Sequence, residues 1–383
     1  MITKHDIGII AFPVDKPGGL PDDTKAGNVP FSHLVDILWS MYQSIYVITG
    51  NRQRVLFKKD EGLHIFEIKH RGGIFNYILT QFRLSWQVFR LSRKVSAWIF
   101  FIGAEALAFP ALTARLAGKP IFLALTGFPA KISTEERTRR YQIVDFLSET
   151  TLKLATRIIA YSPKIIEERN LQRFQRKIQF AQEHFLDFKN FKILKPLSRR
   201  NNVVAYIGRL SEGKGISNLL VAISRIAASR SDVRFLIGGD GPLRSQVEEY
   251  VNRPHLKDRI SYIGWINYEN LPEYLNTVKV LVLPSYTEAL PNIILEAMAC
   301  GTPVLTTSVG AIPDIIKESE TGFILESNSS DQIAIDVVRV LDSPKLERVA
   351  VSARKLVKSQ YTYPAAVEKY REIMASLPAG GKL

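Results

Sequence analysis

From Val203 onward, short β-branched apolar runs alternate with longer stretches whose apolar residues recur at helical spacing. Val203–Ile207, Val233–Ile237, Ile260–Ile263 and Val278–Leu283 read as strands. Ile216–Ser229, Leu243–Asn252 and Leu271–Thr277 read as helices between them. The first half alternates in the same way: Ile7–Ile10, Ser44–Ile48, Val95–Ile102, Ile121–Leu125 and Arg157–Tyr161 have strand character, with Ser32–Met41 and Leu107–Leu116 between them. Pro364–Met374 closes the chain as a helix. Strands and helices alternating at this spacing predict an α/β protein whose parallel sheets are covered on both faces.

A chain of 383 residues suggests two domains, each able to bury its own core. The polar, basic stretch Phe188–Asn202, with Pro196 in it, reads as the linker. The expected division is therefore 1–195, then 196–362, with the last helix, 363–383, crossing back to the first domain. Charge separates the halves. Residues 1–200 hold 31 Lys+Arg and 17 Asp+Glu, whereas residues 201–383 hold 20 of each, so all of the +14 net charge lies in the first half. A basic half beside a neutral one predicts different partners, the basic one meeting membrane headgroups, nucleic acid or a phosphorylated acceptor.

Three further stretches bear on compartment and membrane. Cys300, the only cysteine, has no intrachain disulfide partner and suits a reducing compartment. Ile7–Val14 is short and broken by Pro13, so it reads as a first buried strand rather than a secretory signal. Trp98–Ala114 carries Glu105 as its one charge, and Gly103 and Pro110 favour a strand running into a helix over a membrane span. Phe75–Lys94 sets Arg83, Arg90, Arg93 and Lys94 among Phe, Leu and Trp. Such a segment either lies on an anionic membrane or covers a sheet with its arginines in water.

The chemistry concentrates in two segments. In Leu281–Ile316, a strand leads through Glu288 and Pro291-Asn292 into a short helix that carries Glu296, and Gly301-Thr302-Pro303 then opens the next strand. Glu288 thus lies in the loop at the carboxyl end of a strand, where open α/β sheets bind ligands. Asn292 or a neighbour starts a helix whose free N–H groups suit an anion or a hydroxyl. Taken alone, one carboxylate serves equally well as a partner for the helix dipole and the other as a solvated face residue. The second segment, Gly208-Arg209-Leu210-Ser211-Glu212-Gly213-Lys214-Gly215, places two cations between a strand and a helix N-terminus, a suitable place for a diphosphate.

Together these segments resemble the family 4 retaining glycosyltransferases of the GT-B fold. The likeness rests on Ser285, Glu288, Leu290-Pro291-Asn292, Leu295-Glu296-Ala297-Met298-Ala299, Gly301, Pro303-Val304 and Gly310, which follow the family's E-x7-E signature, and on its G-R-L-x-x-x-K-G signature at Gly208–Gly215. Ala289 departs from the glycine of many members. The resemblance implies two Rossmann-like domains with parallel sheets facing across a cleft. It implies catalytic roles for Arg209, Lys214 and Glu288, the two cations stabilising the departing diphosphate and Glu288 approaching the donor sugar. Glu296 would hold the ribose. Gly208, Gly239 in the turn of Phe235–Pro242, Trp265, Leu290, Asn292 and Ile293 complete the implied donor site, with Trp265 either stacking on the base or packing. On the acceptor side it points to Gly18 and Gly19 of a glycine-rich loop; Thr126, Glu105 after the Trp98–Ile102 strand and His184 near the linker are further acceptor candidates, Glu105 being otherwise a helix-start acid and His184 otherwise packed or solvent-exposed. Leu123–Phe128 has no histidine where many members have one.

The resulting expectation is a hexosyltransferase-type enzyme that moves a sugar from a nucleoside diphosphate donor to a lipid-linked or glycan acceptor. Anomeric configuration would be retained, with no cofactor. No metal is expected either, since no D-x-D occurs in the chain. Its place would be cytoplasmic, peripheral at the inner face of the cell membrane, in cell-envelope glycan synthesis. The rival readings are a transferase with a soluble acceptor, like glycogen or sucrose-phosphate synthases, and a non-catalytic nucleotide-sugar-binding protein. Nucleic-acid binding lacks any recognisable module.

Overall fold

The computed structural model describes residues 6–11, 29–50, 61–69, 74–125 and 139–376. It divides into two compact units: Met1–His184 with Tyr363–Leu383, and Phe185–Thr362.

The first unit alternates strand and helix: β1 (Asp6–Ala11), α1 (Val29–Trp39), β2 (Ile45–Thr49), β3 (Leu63–Glu67), α2 (Ile74–Leu91), β4 (Val95–Phe101), α3 (Ala108–Leu116), β5 (Ile121–Leu125), α4 (Arg139–Leu154), β6 (Arg157–Ala160), α5 (Lys164–Glu168) and β7 (Ile178–Phe180). Every recorded pairing is parallel, in the order β3-β2-β1-β4-β5-β6-β7. The central strands are apolar at nearly every position, because helices cover both faces and leave no water-facing side. Trp98, Phe100 and Phe122 are buried there.

The second unit repeats the plan with β8 (Val203–Ile207), α6 (Ile216–Ser229), β9 (Arg234–Gly238), α7 (Arg244–Val251), β10 (Ile260–Gly264), α8 (Leu271–Thr277), β11 (Val280–Leu283), α9 (Asn292–Ala299), β12 (Val304–Thr306), α10 (Ile312–Ile315), β13 (Phe323–Ile324), α11 (Ser330–Leu341) and α12 (Leu346–Gln360). Its sheet is also parallel, β10-β9-β8-β11-β12-β13. The last helix, α13 (Tyr363–Ala375), belongs to the first unit, where Tyr363 donates to the carbonyl of Asp36 on α1 at 3.0 Å.

The chain passes from one unit to the other between His184 and Phe185, ahead of the stretch read from sequence as a linker. That stretch is packed into the second unit. Phe191 is buried, and Asn276 bonds the backbone of Lys192, Leu194 and Lys195. Arg200 is buried as well, bonding the carbonyls of Lys195, Leu275, Val278 and Cys300 and the side chains of Thr302 and Asn276. One of its cations is thus a buried guanidinium held by uncharged oxygens, a use that composition alone does not reveal.

Each sheet reverses direction once, the first between β1 and β4, the second between β8 and β11. The loops beyond the carboxyl ends of such paired strands are where open α/β sheets bind ligands.

Candidate functional site

Two loops meet beyond the β8/β11 reversal. Gly208–Gly215 leaves β8 and turns into α6, and Pro284–Pro291 leaves β11 and turns into α9. β8 and β11 are neighbours in the sheet, with Val204 opposite Val280, so residues 74 apart in sequence face each other. Lys214 Nζ lies 2.6 Å from Glu288 Oε1. Ser285 Oγ donates to the same oxygen at 2.7 Å. The Glu288 side chain is only 9% exposed, so the carboxylate is held by a cation and a hydroxyl in a largely desolvated corner.

This corner is braced from behind. Thr307 Oγ1 donates to the Ser285 carbonyl at 2.6 Å, and Asn328 Nδ2 to the Pro284 carbonyl at 3.0 Å. Gly310 has φ +59°, and a Cβ there would stand 2.0 Å from the Glu288 carbonyl oxygen, so the backbone of β12's loop touches that of Glu288. Tyr206 donates from its buried hydroxyl to the carbonyl of Arg209 at 2.6 Å, fixing the turn that carries Arg209. Burial, and then the charge of Glu288, raise the Tyr206 phenol above its usual range, so it stays a donor. The guanidinium of Arg209 makes no ion pair with a carboxylate among the described residues.

The loops after the next strands are stitched to this one. The amide of Gly208 donates to Gly238, that of Leu210 to Asp240, and that of Gly239 to Gly264, at 3.0, 2.9 and 2.7 Å. Gly239, at φ +131°, would place a Cβ 1.8 Å from the Gly208 carbonyl oxygen, so only glycine permits this contact. Trp265 follows β10 with its ring 43% exposed. Leu290 is buried, while Asn292 and Ile293 are half-buried at the first turn of α9. Glu296 lies one turn further in, 6% exposed, and burial pushes its carboxyl up to about 8. An uncharged carboxyl of this kind can donate to, or accept from, a hydroxyl. Cys300 is buried at the end of α9, and burial raises its thiol, so it is a packing residue.

The first unit gives a different picture. Glu105, in the loop after β4, pairs with Arg169 at 2.7 Å. His184 is buried, edge-on to Tyr161, and burial lowers it to about 3, so its ring is neutral. Beside it Glu183 is fully buried and accepts from the Tyr161 hydroxyl, and burial pushes it up to about 7. Gly18, Gly19 and Thr126 lie outside the described residues. Among the described residues, no cluster of His, Cys, Asp and Glu suits a metal. Ser285 belongs to the family pattern, whereas Thr307 and Asn328 gave no signal because their partners are backbone carbonyls far along the chain, and Tyr206 gave none because it reads as one more apolar strand residue.

Residues 188–356, which contain all of the β8/β11 corner, match the family model described as glycosyl transferases group 1. The matched residues lie within the second unit, which is thus similar to the group 1 glycosyltransferases. The chain is 28% identical over 308 residues to alpha-D-kanosaminyltransferase of Streptomyces kanamyceticus, covering 74% of this chain and 79% of that one. It is 28% identical over 178 residues to N-acetyl-alpha-D-glucosaminyl L-malate synthase of Bacillus anthracis, covering 46% of each. Among solved structures, Anabaena HepE in complex with UDP matches with a TM-score of 0.73 at 18% identity, over 97% of this chain and 100% of that one. Sucrose-phosphate synthase of Thermosynechococcus elongatus matches at 0.70 and 19%, over 97% and 100%. The fold of the chain is thus GT-B, two Rossmann-like units with sheets of seven and six parallel strands. No helix among its described residues is long and apolar enough to cross a membrane.

Proposed function

We propose that the second unit binds a nucleoside diphosphate sugar at the β8/β11 corner and that the enzyme transfers the sugar with retention to a lipid-linked or glycan acceptor held by the first unit. The observation that carries this reading is the Lys214–Glu288–Ser285 contact at the carboxyl ends of adjacent strands, beside Arg209, which pairs with no carboxylate among the described residues. Breaking the bond between the anomeric carbon and the diphosphate oxygen leaves negative charge on the diphosphate and positive character on the sugar ring. Arg209 and Lys214 stabilise the first. Glu288 orients the sugar, and its charge suits the second. Glu296, uncharged in the empty site, takes the ribose hydroxyls.

The acceptor hydroxyl then forms the new bond on the face the diphosphate leaves, and its proton passes to the departing phosphate oxygen. Neither glutamate is asked to form a covalent intermediate, unlike the paired carboxylates of a retaining hydrolase. The cationic pair replaces a metal clamp. HepE, of the same fold, was crystallised with UDP, which makes uridine diphosphate sugars the first donors to try. The +14 charge carried by residues 1–200 favours an acceptor at the anionic inner face of the cell membrane.

A transfer assay over a panel of nucleotide sugars, with the product's anomeric configuration read by NMR, tests this. One donor should be used, with retention. Inverted product, or no turnover with any donor, would overturn the reading.

A further inference from the structure

The helix α2 carries two apolar stripes, and the fold uses only one. Tyr77, Leu84, Val88 and Leu91 face inward and are buried, with Gln81 among them bonding the Ala106 carbonyl at 3.2 Å. Two residues out of phase, Phe75, Leu79, Phe82, Trp86 and Phe89 recur at the same four-and-three spacing and face out. Phe75 is 76% exposed, Phe82 59%, Trp86 62% and Phe89 55%. The two sequence readings of this segment, sheet cover and membrane surface, are therefore met by opposite sides of one helix.

The outer stripe does not end with α2. Phe82 meets Phe109 of α3 with the rings tilted and their centroids 5.1 Å apart, and α3 packs in turn on α4. α3 adds Leu116, 78% exposed, and α4 adds Phe146, 70% exposed. A contiguous apolar face of this extent is rare on a protein that meets only water. Along its edge stand Arg83, Arg90, Arg93 and Lys94, all exposed. No acidic residue occurs in α2 or α3. A groove of about 520 Å³ beside the stripe is lined by Lys69 and Arg83 with Phe82, Trp86 and Glu67, large enough for a phosphate headgroup.

We infer that the outer face of α2, α3 and α4 seats the first unit in the headgroup layer of an anionic phospholipid membrane. This inference rests on the reading above that the acceptor lies at a membrane, and it names the surface and the lipid chemistry. Charge decides the occupant. A second copy docking by the same face would bring Arg83, Arg90 and Arg93 against their own counterparts with no carboxylate on α2 or α3 to answer them. Anionic headgroups answer each one, while Phe75, Phe82 and Trp86 enter the acyl boundary as the aromatic side of an interfacial helix does.

Vesicle co-sedimentation of the full chain tests this, with phosphatidylcholine alone and with phosphatidylcholine mixed with phosphatidylglycerol. The wild type should sediment with the mixed vesicles and stay in solution with the zwitterionic ones. The double variant Phe82→Ser/Trp86→Ser should stay in solution with both. Arg83→Gln/Arg90→Gln should lower the vesicle partition about thirtyfold, from two lost headgroup attractions. All four side chains are exposed, and unchanged thermal melting would exclude misfolding. A wild type that ignores anionic vesicles, or an aromatic variant that sediments as well as wild type, overturns the inference. So does a wild-type dimer, seen by light scattering without lipid, that the aromatic variant dissociates. Thermal stabilisation by the nucleotide sugar, measured on the same samples, reports on the second unit, so failure of the membrane inference and failure of the donor assignment are read separately.

Discussion

Both sheets reverse their strand order once, yet the two units furnish their polar groups in opposite ways. In the second, Lys214, Ser285 and Glu288 come from two loops that leave adjacent strands, and they meet in a partly open corner. In the first, Tyr161, Glu183, His184 and Tyr370 come from three points along the chain and gather where water does not reach. Among the described residues Glu183 Oε2, His184 Nδ1 and Tyr370 Oη have no hydrogen-bond partner. A corner of the first kind is built for a ligand to complete. The buried group of the first unit holds α13 and the end of β6 together and presents little to a substrate.

The contrast breaks most readily at Lys214. Lys214→Ala leaves Glu288 with Ser285 alone, and we expect turnover to fall about a hundred- to a thousandfold with unchanged circular dichroism. Near-normal turnover would make the two corners equivalent.

Next in size is a pH effect of the same sign but different range for the two buried carboxyls. Glu296 is raised from 4.5 to about 8, so its contribution favours the folded state fully below about pH 4.5 and is lost as the pH rises toward 8. The slope approaches about 1.4 kcal/mol per pH unit inside that window. Glu296→Gln should flatten the fall in melting temperature of the empty enzyme up to pH 8. Glu183→Gln should flatten it only up to about pH 7, the value to which burial raises that group. Saturating donor should change the first profile and leave the Glu183 part as it was. Identical profiles for the two variants would dissolve the distinction.

Gly310→Ala sets a Cβ against the Glu288 carbonyl at a left-handed φ, and about 2 kcal/mol of stability should go with it. Denaturant titration measures this, and weaker donor binding should accompany it if that backbone contact positions Glu288. Smallest is Ser285→Ala, a loss of about 1 kcal/mol of transition-state stabilisation, near fivefold in kcat/KM. An unchanged value would mean that Lys214 alone orients the carboxylate.

The same contrast explains what the sequence could disclose. From β8 to β12 the second unit's strands and helices are legible because β-branched runs and helical spacing alternate with glycine at the turns; α6 and α8 begin and end where their patterns do, whereas β13, α11 and α12 go unread. Its site is legible because each loop's chemistry lies within eight residues of one strand end. β3 was missed in the first unit: as an edge strand it exposes His64 and Ile65, so neither a continuous nor an alternating apolar run marks it. α4, with Asp145, Glu149 and three threonines and serines between its apolar residues, blurs the helical spacing in the same way. Nor could spacing bring Tyr161 to Glu183 or Arg200 to Cys300, because those contacts join segments that only the fold makes neighbours. The outward stripe of α2 is periodic in the sequence, but its exposure depends on which of two equivalent stripes the sheet takes.

Calorimetric titration of the wild type and of Arg209→Ala/Lys214→Ala with a panel of nucleoside diphosphate sugars, and with the matching nucleosides, tests the central claim most directly. The account predicts that one nucleotide sugar binds the wild type, that its nucleoside binds far more weakly, and that the double variant loses at least about a hundredfold in affinity, the worth of two charge-assisted contacts to the diphosphate. Equal affinity in the two proteins, or no donor bound by the wild type, would contradict it.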